Sequence, residues 1–166
     1  MATSRAKSAK PTILLGADHG GYQLKEEVKA WLEDWGYVYE DLGAHALNPR
    51  DDYPPFAFAV AQAVAAKLTA GVPAVGMLCC RSGAGMCIAA NKVAGIRAVN
   101  ASTMSAVKHA RNDDNANVLC LQGDWLEPAQ ARHLVLAFLE TPFSEAERHQ
   151  RRIAQVSQFE ETRKQA

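Results

Sequence analysis

Short apolar runs alternate along the chain with stretches in which apolar residues recur every three or four positions. The runs at Thr12–Ala17, Val38–Leu42, Ala74–Cys80, Ile96–Asn100 and Asn117–Leu121 have the length and composition of strands buried on both faces. Between the first two, Leu24, Val28, Trp31, Leu32 and Trp35 share one helical face, Lys25, Glu26, Glu27 and Lys29 the other, and Gly36 ends the helix. Further helices are predicted over Pro55–Leu68, Ala84–Lys92, Ser102–Arg111, Pro128–Glu140 and Ser144 to about Lys164; the second and fifth helices of the chain open with proline near the first turn. Such alternation marks a parallel sheet with crossover helices. The expected fold is therefore α/β, a doubly wound five-stranded parallel sheet in a Rossmann-like or flavodoxin-like three-layer sandwich.

Length and charge narrow this further. A chain of 166 residues suffices for one compact domain, expected over residues 12–166, with 1–11 as a disordered leader that is basic but lacks the apolar segment of a secretory signal. Lys plus Arg equals Asp plus Glu at 18 each, so no global field draws the protein to nucleic acid or to an anionic membrane. Its apolar stretches fall well short of the ~20 residues needed to span a bilayer. Cys79, Cys80, Cys87 and Cys120 lie in or beside apolar runs, which suits reduced thiols in the cytoplasm, and their spacing matches no usual zinc site. Cys79 and Cys87 read as packing residues. The last helix carries Ile153, Val156 and Phe159 on one stripe, a face expected to pack on a partner subunit in a homodimer or a dimer of dimers.

Ligands of an open parallel sheet sit beyond the carboxyl ends of its strands, so the residues following each strand carry the candidate chemistry. The first strand runs into Gly16-Ala17-Asp18-His19-Gly20-Gly21, where glycines permit close backbone approach and Asp18 and His19 offer an acceptor and a switchable donor. A helix-capping Asp beside a surface His would look the same. The third strand ends in Cys79-Cys80-Arg81-Ser82-Gly83-Ala84-Gly85-Met86. A glycine-rich turn from strand to helix presents free N–H groups and the positive end of the helix dipole to a phosphate or a developing oxyanion, surroundings expected to lower the pKa of Cys80. The alternative for Cys80 is a small buried residue at a strand end. Gly83-Ala84-Gly85 is no dinucleotide fingerprint, since Ile88 replaces the third glycine. Arg111 to Asn117 is a polar run that reads as a site or a hydrated loop. Arg148 and Arg152 stand one helical turn apart, a fork for phosphate or a solvated basic face.

Together these segments resemble the ribose-5-phosphate isomerase B family, which also contains the galactose-6-phosphate isomerase subunits. The likeness covers Ile13 to about Glu160 and rests on the order of Gly16 to Gly21, Asp52-Tyr53-Pro54, Cys80 with Ser82-Gly83-Ala84-Gly85, Ile88 to Lys92, Gly95-Ile96-Arg97-Ala98, Asn115 to Leu119, and Arg148-His149-Gln150. It implies an aldose–ketose isomerase that interconverts ribose 5-phosphate and ribulose 5-phosphate and needs no metal or organic cofactor. By the resemblance Cys80 moves a proton between C1 and C2 through an enediolate, while Ser82, Gly83 and Gly85 form the anion hole. Asp18 and His19 contact sugar hydroxyls or phosphate, Arg148 and Arg152 clamp the phosphate, and Tyr53 reaches the sugar across a dimer interface.

The chain departs from the family pattern at three places. Asp113 stands where the family has a histidine that opens the furanose ring, next to Asp114. Ring opening is then left to Asp113 with a pKa raised from its usual value near 4, by burial or by Asp114, or to His109 or His19. Asp124 occupies, or adjoins, a position where many members carry a phosphate-binding arginine, and Arg81 replaces a common glycine, where its charge is expected to lower the Cys80 pKa or meet phosphate. Cys80, Ser82 and Asp113 are thus the candidate catalytic residues; Asp18, His19, Tyr53, Arg81, Gly83, Gly85, Asp114, Arg148 and Arg152 are the candidate substrate-binding ones. The competing readings are an isomerase of another tetrose, pentose or hexose phosphate, a catalytically silent sugar-phosphate-binding subunit, and a flavodoxin-like carrier of FMN.

Overall fold

The computed structural model describes residues 10–165, with side chains described as far as Thr162. Five strands, β1 (Thr12–Ala17), β2 (Tyr39–Asp41), β3 (Ala74–Cys80), β4 (Ala98–Asn100) and β5 (Val118–Gln122), pair in parallel in the order β2-β1-β3-β5-β4. The helices are α1 (Tyr22–Asp34), α2 (Tyr53–Thr69), α3 (Ala84–Ala90), α4 (Met104–Asp114), α5 (Pro128–Glu140) and α6 (Glu147–Gln165). The doubly wound sandwich is as expected. Its last two strands are exchanged relative to the flavodoxin order, which places β5 inside the sheet and β4 at the edge.

Crossover handedness explains where the helices lie. Connections that move toward the β2 edge (through α1 and α4) and those that move toward the β4 edge (through α2 and α3) must cover opposite faces if all are right-handed. One buried cluster accordingly joins Leu24, Val28 and Leu32 of α1 to Val107 of α4 and Leu134 and Phe138 of α5. The other joins Val60 and Val64 of α2 to Met86 and Ala90 of α3. The neighbouring strands β1 and β3 therefore send their chains to opposite faces, opening a crevice at their carboxyl ends.

Element boundaries differ from the sequence reading mainly at edges and polar ends. β2 and β4, each paired on one side, keep three residues. α3 stops at Ala90 rather than Lys92, and α6 begins at Glu147 rather than Ser144. α4 starts later than expected, capped by the Thr103 hydroxyl on the Ala106 N–H at 3.2 Å, and runs through Asp113 and Asp114 until Asn115 turns left-handed at φ 47°. Residues 1–9 of the expected leader lie outside the described residues. Lys10 and Pro11 belong to the fold, Lys10 donating to the Trp35 carbonyl at 2.7 Å. α6 rests on α4 and reaches the turn before β4, where the Glu160 carboxylate accepts the Gly95 N–H at 2.9 Å. Val156 and Phe159 on this helix are 52% and 64% exposed. Among the described residues no helix is long and apolar enough to cross a membrane.

Candidate active site

Cys80 ends β3 in the crevice, with 5% of its surface exposed. Gly83, left-handed at φ 71°, turns the chain so that its N–H donates to Cys80 Sγ at 3.1 Å. Burial is the largest influence on this thiol and pushes its pKa up, Asp18 adds to the rise, and the amides of Met86, Gly83 and Ser82 offset part of it. The expected lowering is therefore corrected: dehydration of the sulfur outweighs the amide cradle. Arg81 does not reverse it either. Its guanidinium turns to the rim, 3.4 Å from Asp124, so two of the three departures from the family pattern form an exposed ion pair.

The turn after Cys80 is tied to the neighbouring strands. Ser82 Oγ accepts the Ala84 N–H at 3.3 Å, and the Ser82 carbonyl accepts Asn100 Nδ2 at 3.0 Å. Asn100 Oδ1 in turn accepts Gln122 Nε2 at 2.7 Å. Asn100 and Gln122 were not singled out in the sequence, although as the last residues of β4 and β5 they occupy the positions where site residues gather.

The β1 loop forms the facing wall. Gly21 presses on β3 so closely that a Cβ there would lie 2.0 Å from the Cys79 carbonyl oxygen, a contact only glycine permits. Asp18 is buried, accepts the Gly21 N–H at 3.0 Å, and has its pKa raised, with burial as the main cause. His19 donates its backbone N–H to Asp51 Oδ1 at 2.9 Å and places Nδ1 2.7 Å from the same oxygen. Asp51 was missed in the sequence because it is remote from His19 along the chain. Tyr53, at the start of α2, stacks over Gly85 of its own chain, where a Cβ would meet ring carbon Cζ at 2.9 Å. Within one chain it thus stands beside the Cys80 turn, because α2 and α3 share a face and both begin at the carboxyl end of the sheet.

The remaining candidates lie at the other end of the sheet. α4 runs back from the carboxyl ends, and its 11 residues carry Asp113 and Asp114 about 15 Å along the helix axis to the amino ends, just before β5. Arg148 and Arg152 stand beside them on α6, both exposed. The chain alone does not bring these four residues to Cys80. Nor is Asp113 a strengthened base: the Asn112 amide, donating at 2.6 Å, lowers its pKa, assisted by His149, His109 and Arg148. The expected rise from burial or Asp114 does not occur, since the carboxyl is 36% exposed beside the Asn112 amide and the Arg148 guanidinium. His149, 3% exposed, accepts Arg148 Nε at 2.9 Å and meets Ser144 Oγ at 2.7 Å, which fixes the root of the arginine pair. His109 is an exposed neighbour of Asp113 at 3.8 Å. Among the described residues no three His, Cys, Asp or Glu side chains converge as a metal site.

Residues 13–156 match the family model described as Ribose/Galactose Isomerase. The chain belongs to this family. It is 38% identical over 150 residues to the ribose-5-phosphate isomerase B of Mycolicibacterium paratuberculosis, covering 90% of this chain and 92% of that one. It also resembles the crystal structure of ribose-5-phosphate isomerase B from Mycoplasma genitalium with bound ribulose-5-phosphate, with TM-score 0.84, 37% identity and coverage of 90% and 96%. The type B ribose 5-phosphate isomerase of Trypanosoma cruzi superposes with TM-score 0.86 at 32% identity, covering 93% and 99%. In this chain Cys80, the glycine turn and the Asp18-His19 pair lie at one end of the sheet, and Arg148 and Arg152 at the other.

Proposed function

We propose that the chain interconverts ribose 5-phosphate and ribulose 5-phosphate in the cytoplasm, with Cys80 as the proton-transfer base. The observation that carries this reading is a single sulfur, 3.1 Å from a turn amide, at the crevice between β1 and β3. As thiolate it takes the proton from C2 of the open aldose and the C1 carbonyl becomes an enediolate oxygen; the O2 hydroxyl proton then passes to O1 as the C2 carbonyl forms, and the thiol returns its proton to C1. The turn at Ser82, Gly83 and Gly85 supplies donors for the charge that develops, an arrangement worth about 3 to 4 kcal/mol per donor in other enzymes. Asp18 and His19 line the opposite wall.

The site is completed by a second copy of the chain. Support comes from the separation of the two clusters: Arg148 and Arg152 hold a phosphate only for a Cys80 that approaches the amino end of the sheet from outside. The exposed Val156 and Phe159 on α6 provide an apolar face for such a homodimer, or for a dimer of dimers. The described cysteines are free thiols, consistent with a reducing compartment.

Subunit mixing tests both parts. Cys80→Ala is expected to lose at least about a hundredfold in turnover while staying folded, and near-normal turnover would remove Cys80 as the base. Arg148→Ala is expected to raise KM. When the two variants are dissociated and reassociated together, each mixed dimer contains one site with neither substitution and activity returns; no recovery would remove the shared site.

A further inference from the structure

Asp51 lies in the loop between β2 and α2 and touches the crevice only through His19. Its Oδ1 accepts two hydrogen bonds from that one residue, from the backbone N–H at 2.9 Å and at Nδ1 at 2.7 Å. The carboxylate is 10% exposed, and Oδ2 is buried without a hydrogen-bond partner among the described residues. A buried acceptor left unsatisfied costs stability, so the carboxylate is a poor choice for holding a loop. It is an effective choice for holding an imidazole. A carboxylate can only accept at Nδ1, which places the proton of the neutral ring on Nδ1 and leaves Nε2 with its lone pair. Nε2 has no partner among the described residues, and the His19 side chain is 27% exposed at the mouth of the crevice.

We propose that Asp51 is the positioning residue that fixes His19 as the proton acceptor for opening the sugar ring. This rests on the isomerase reading above. In the closed form of ribose 5-phosphate, Nε2 takes the proton of the O1 hydroxyl, the O1 electrons form the C1 carbonyl as the bond from C1 to the ring oxygen breaks, and the departing oxygen receives the proton back from Nε2. One proton leaves O1 and one arrives at the ring oxygen, so the ring of His19 ends as it began and no co-reactant is needed. Ribulose 5-phosphate needs no such step. Its carbonyl could close a five-membered ring only through O5, which carries the phosphate.

The chemistry gives a test that depends on direction. Asp51→Ala removes the oxygen that accepts from both the His19 N–H and Nδ1, so the ring is free to adopt the other tautomer. At saturating substrate its kcat from ribose 5-phosphate is expected to fall at least about tenfold, with KM for that sugar falling alongside because the equilibrium constant is unchanged, and its kcat from ribulose 5-phosphate to stay within about twofold. His19→Asn should show the same one-sided loss, and the double variant no greater loss than either single one. The nitrogen NMR resonances of His19 should show Nε2 unprotonated in the parent protein and a tautomer mixture in Asp51→Ala. Equal losses of kcat in both directions, or an unchanged kcat from ribose 5-phosphate, would overturn the proposal. An unchanged tautomer would overturn it whatever the activity. A parent protein inactive on both sugars would refute the isomerase reading instead, and the NMR result would still decide the role of Asp51.

Discussion

Two glycines with nearly the same backbone conformation separate the cost of a left-handed residue from the cost of disturbing the site. Gly71, between α2 and β3, has φ 74° and nothing within 4 Å of an added Cβ. Gly83 has φ 71°, but its Cβ would stand 2.7 Å from Asn100 Oδ1, against at least 3.4 Å for ordinary contact. Alanine at Gly71 therefore carries only the left-handed penalty of about 1–2 kcal/mol. Alanine at Gly83 carries that penalty and also displaces the Asn100 amide, which bonds Ser82 at 3.0 Å and Gln122 at 2.7 Å. Loss of these two bonds adds about 1–3 kcal/mol. For a domain of this size Tm should fall by about 2–8 °C for Gly71→Ala and about 4–20 °C for Gly83→Ala, read by calorimetry. Turnover provides the second readout. Gly71→Ala should leave it unchanged, while Gly83→Ala, which moves the amide on Cys80, should depress it severalfold. Equal Tm losses with turnover intact in both variants would refute the view that Asn100 braces the Cys80 turn.

Four other outcomes follow from the same structure. Because burial raises the Cys80 pKa above the ordinary thiol value of 9.0, kcat/KM should keep climbing with pH beyond that value as the thiolate forms; a plateau reached below it would contradict the assigned environment. Folding stability should move the opposite way. Buried Cys79, Cys80 and Cys120 all have raised pKa values, so their contribution is full below about pH 9 and is lost as pH climbs toward the folded values, whereas chemical denaturation with unaltered stability from pH 8 to 10.5 would argue against it. Cys87, half-buried and lowered to about 7 chiefly by its hydrogen bond with Cys120, should be alkylated before Cys80 when peptides are mapped after brief iodoacetamide treatment, and the reverse order would count against that pairing. Phe159→Asp on α6 should weaken self-association in sedimentation velocity while leaving the monomer folded; an unchanged sedimentation coefficient would remove this face from the interface.

Legibility in the sequence tracked how local the determining interactions are. β3 and α5 have the bounds read from the apolar pattern, because a strand covered on both faces and a helix with a proline start declare themselves within a few residues. The edge strands were read too long, since half of their pairing is missing and apolar composition does not report it. The polar end of α4 was read as loop because Asn and Asp favour turns. Contacts with the residues that precede β4 and α6 hold it helical instead, with Arg97 donating to the Asp114 carbonyl at 2.9 Å and Ser144 donating its N–H to the Asn112 carbonyl at 3.0 Å.

The sequence by itself determined the parallel α/β plan, the glycine turn after Cys80 and the family, all written in short motifs and in periodicities of two and 3.6. Only the tertiary structure decided the exchanged strand order, the pairing of His19 with Asp51 across 32 positions and of Arg81 with Asp124 across 43, and the division of the site residues between two ends of the sheet. It alone also set the sign of the shifts at Cys80 and Asp113. A pKa is a balance of dehydration against nearby dipoles and charges, and folding brings those neighbours from parts of the chain that no local pattern connects.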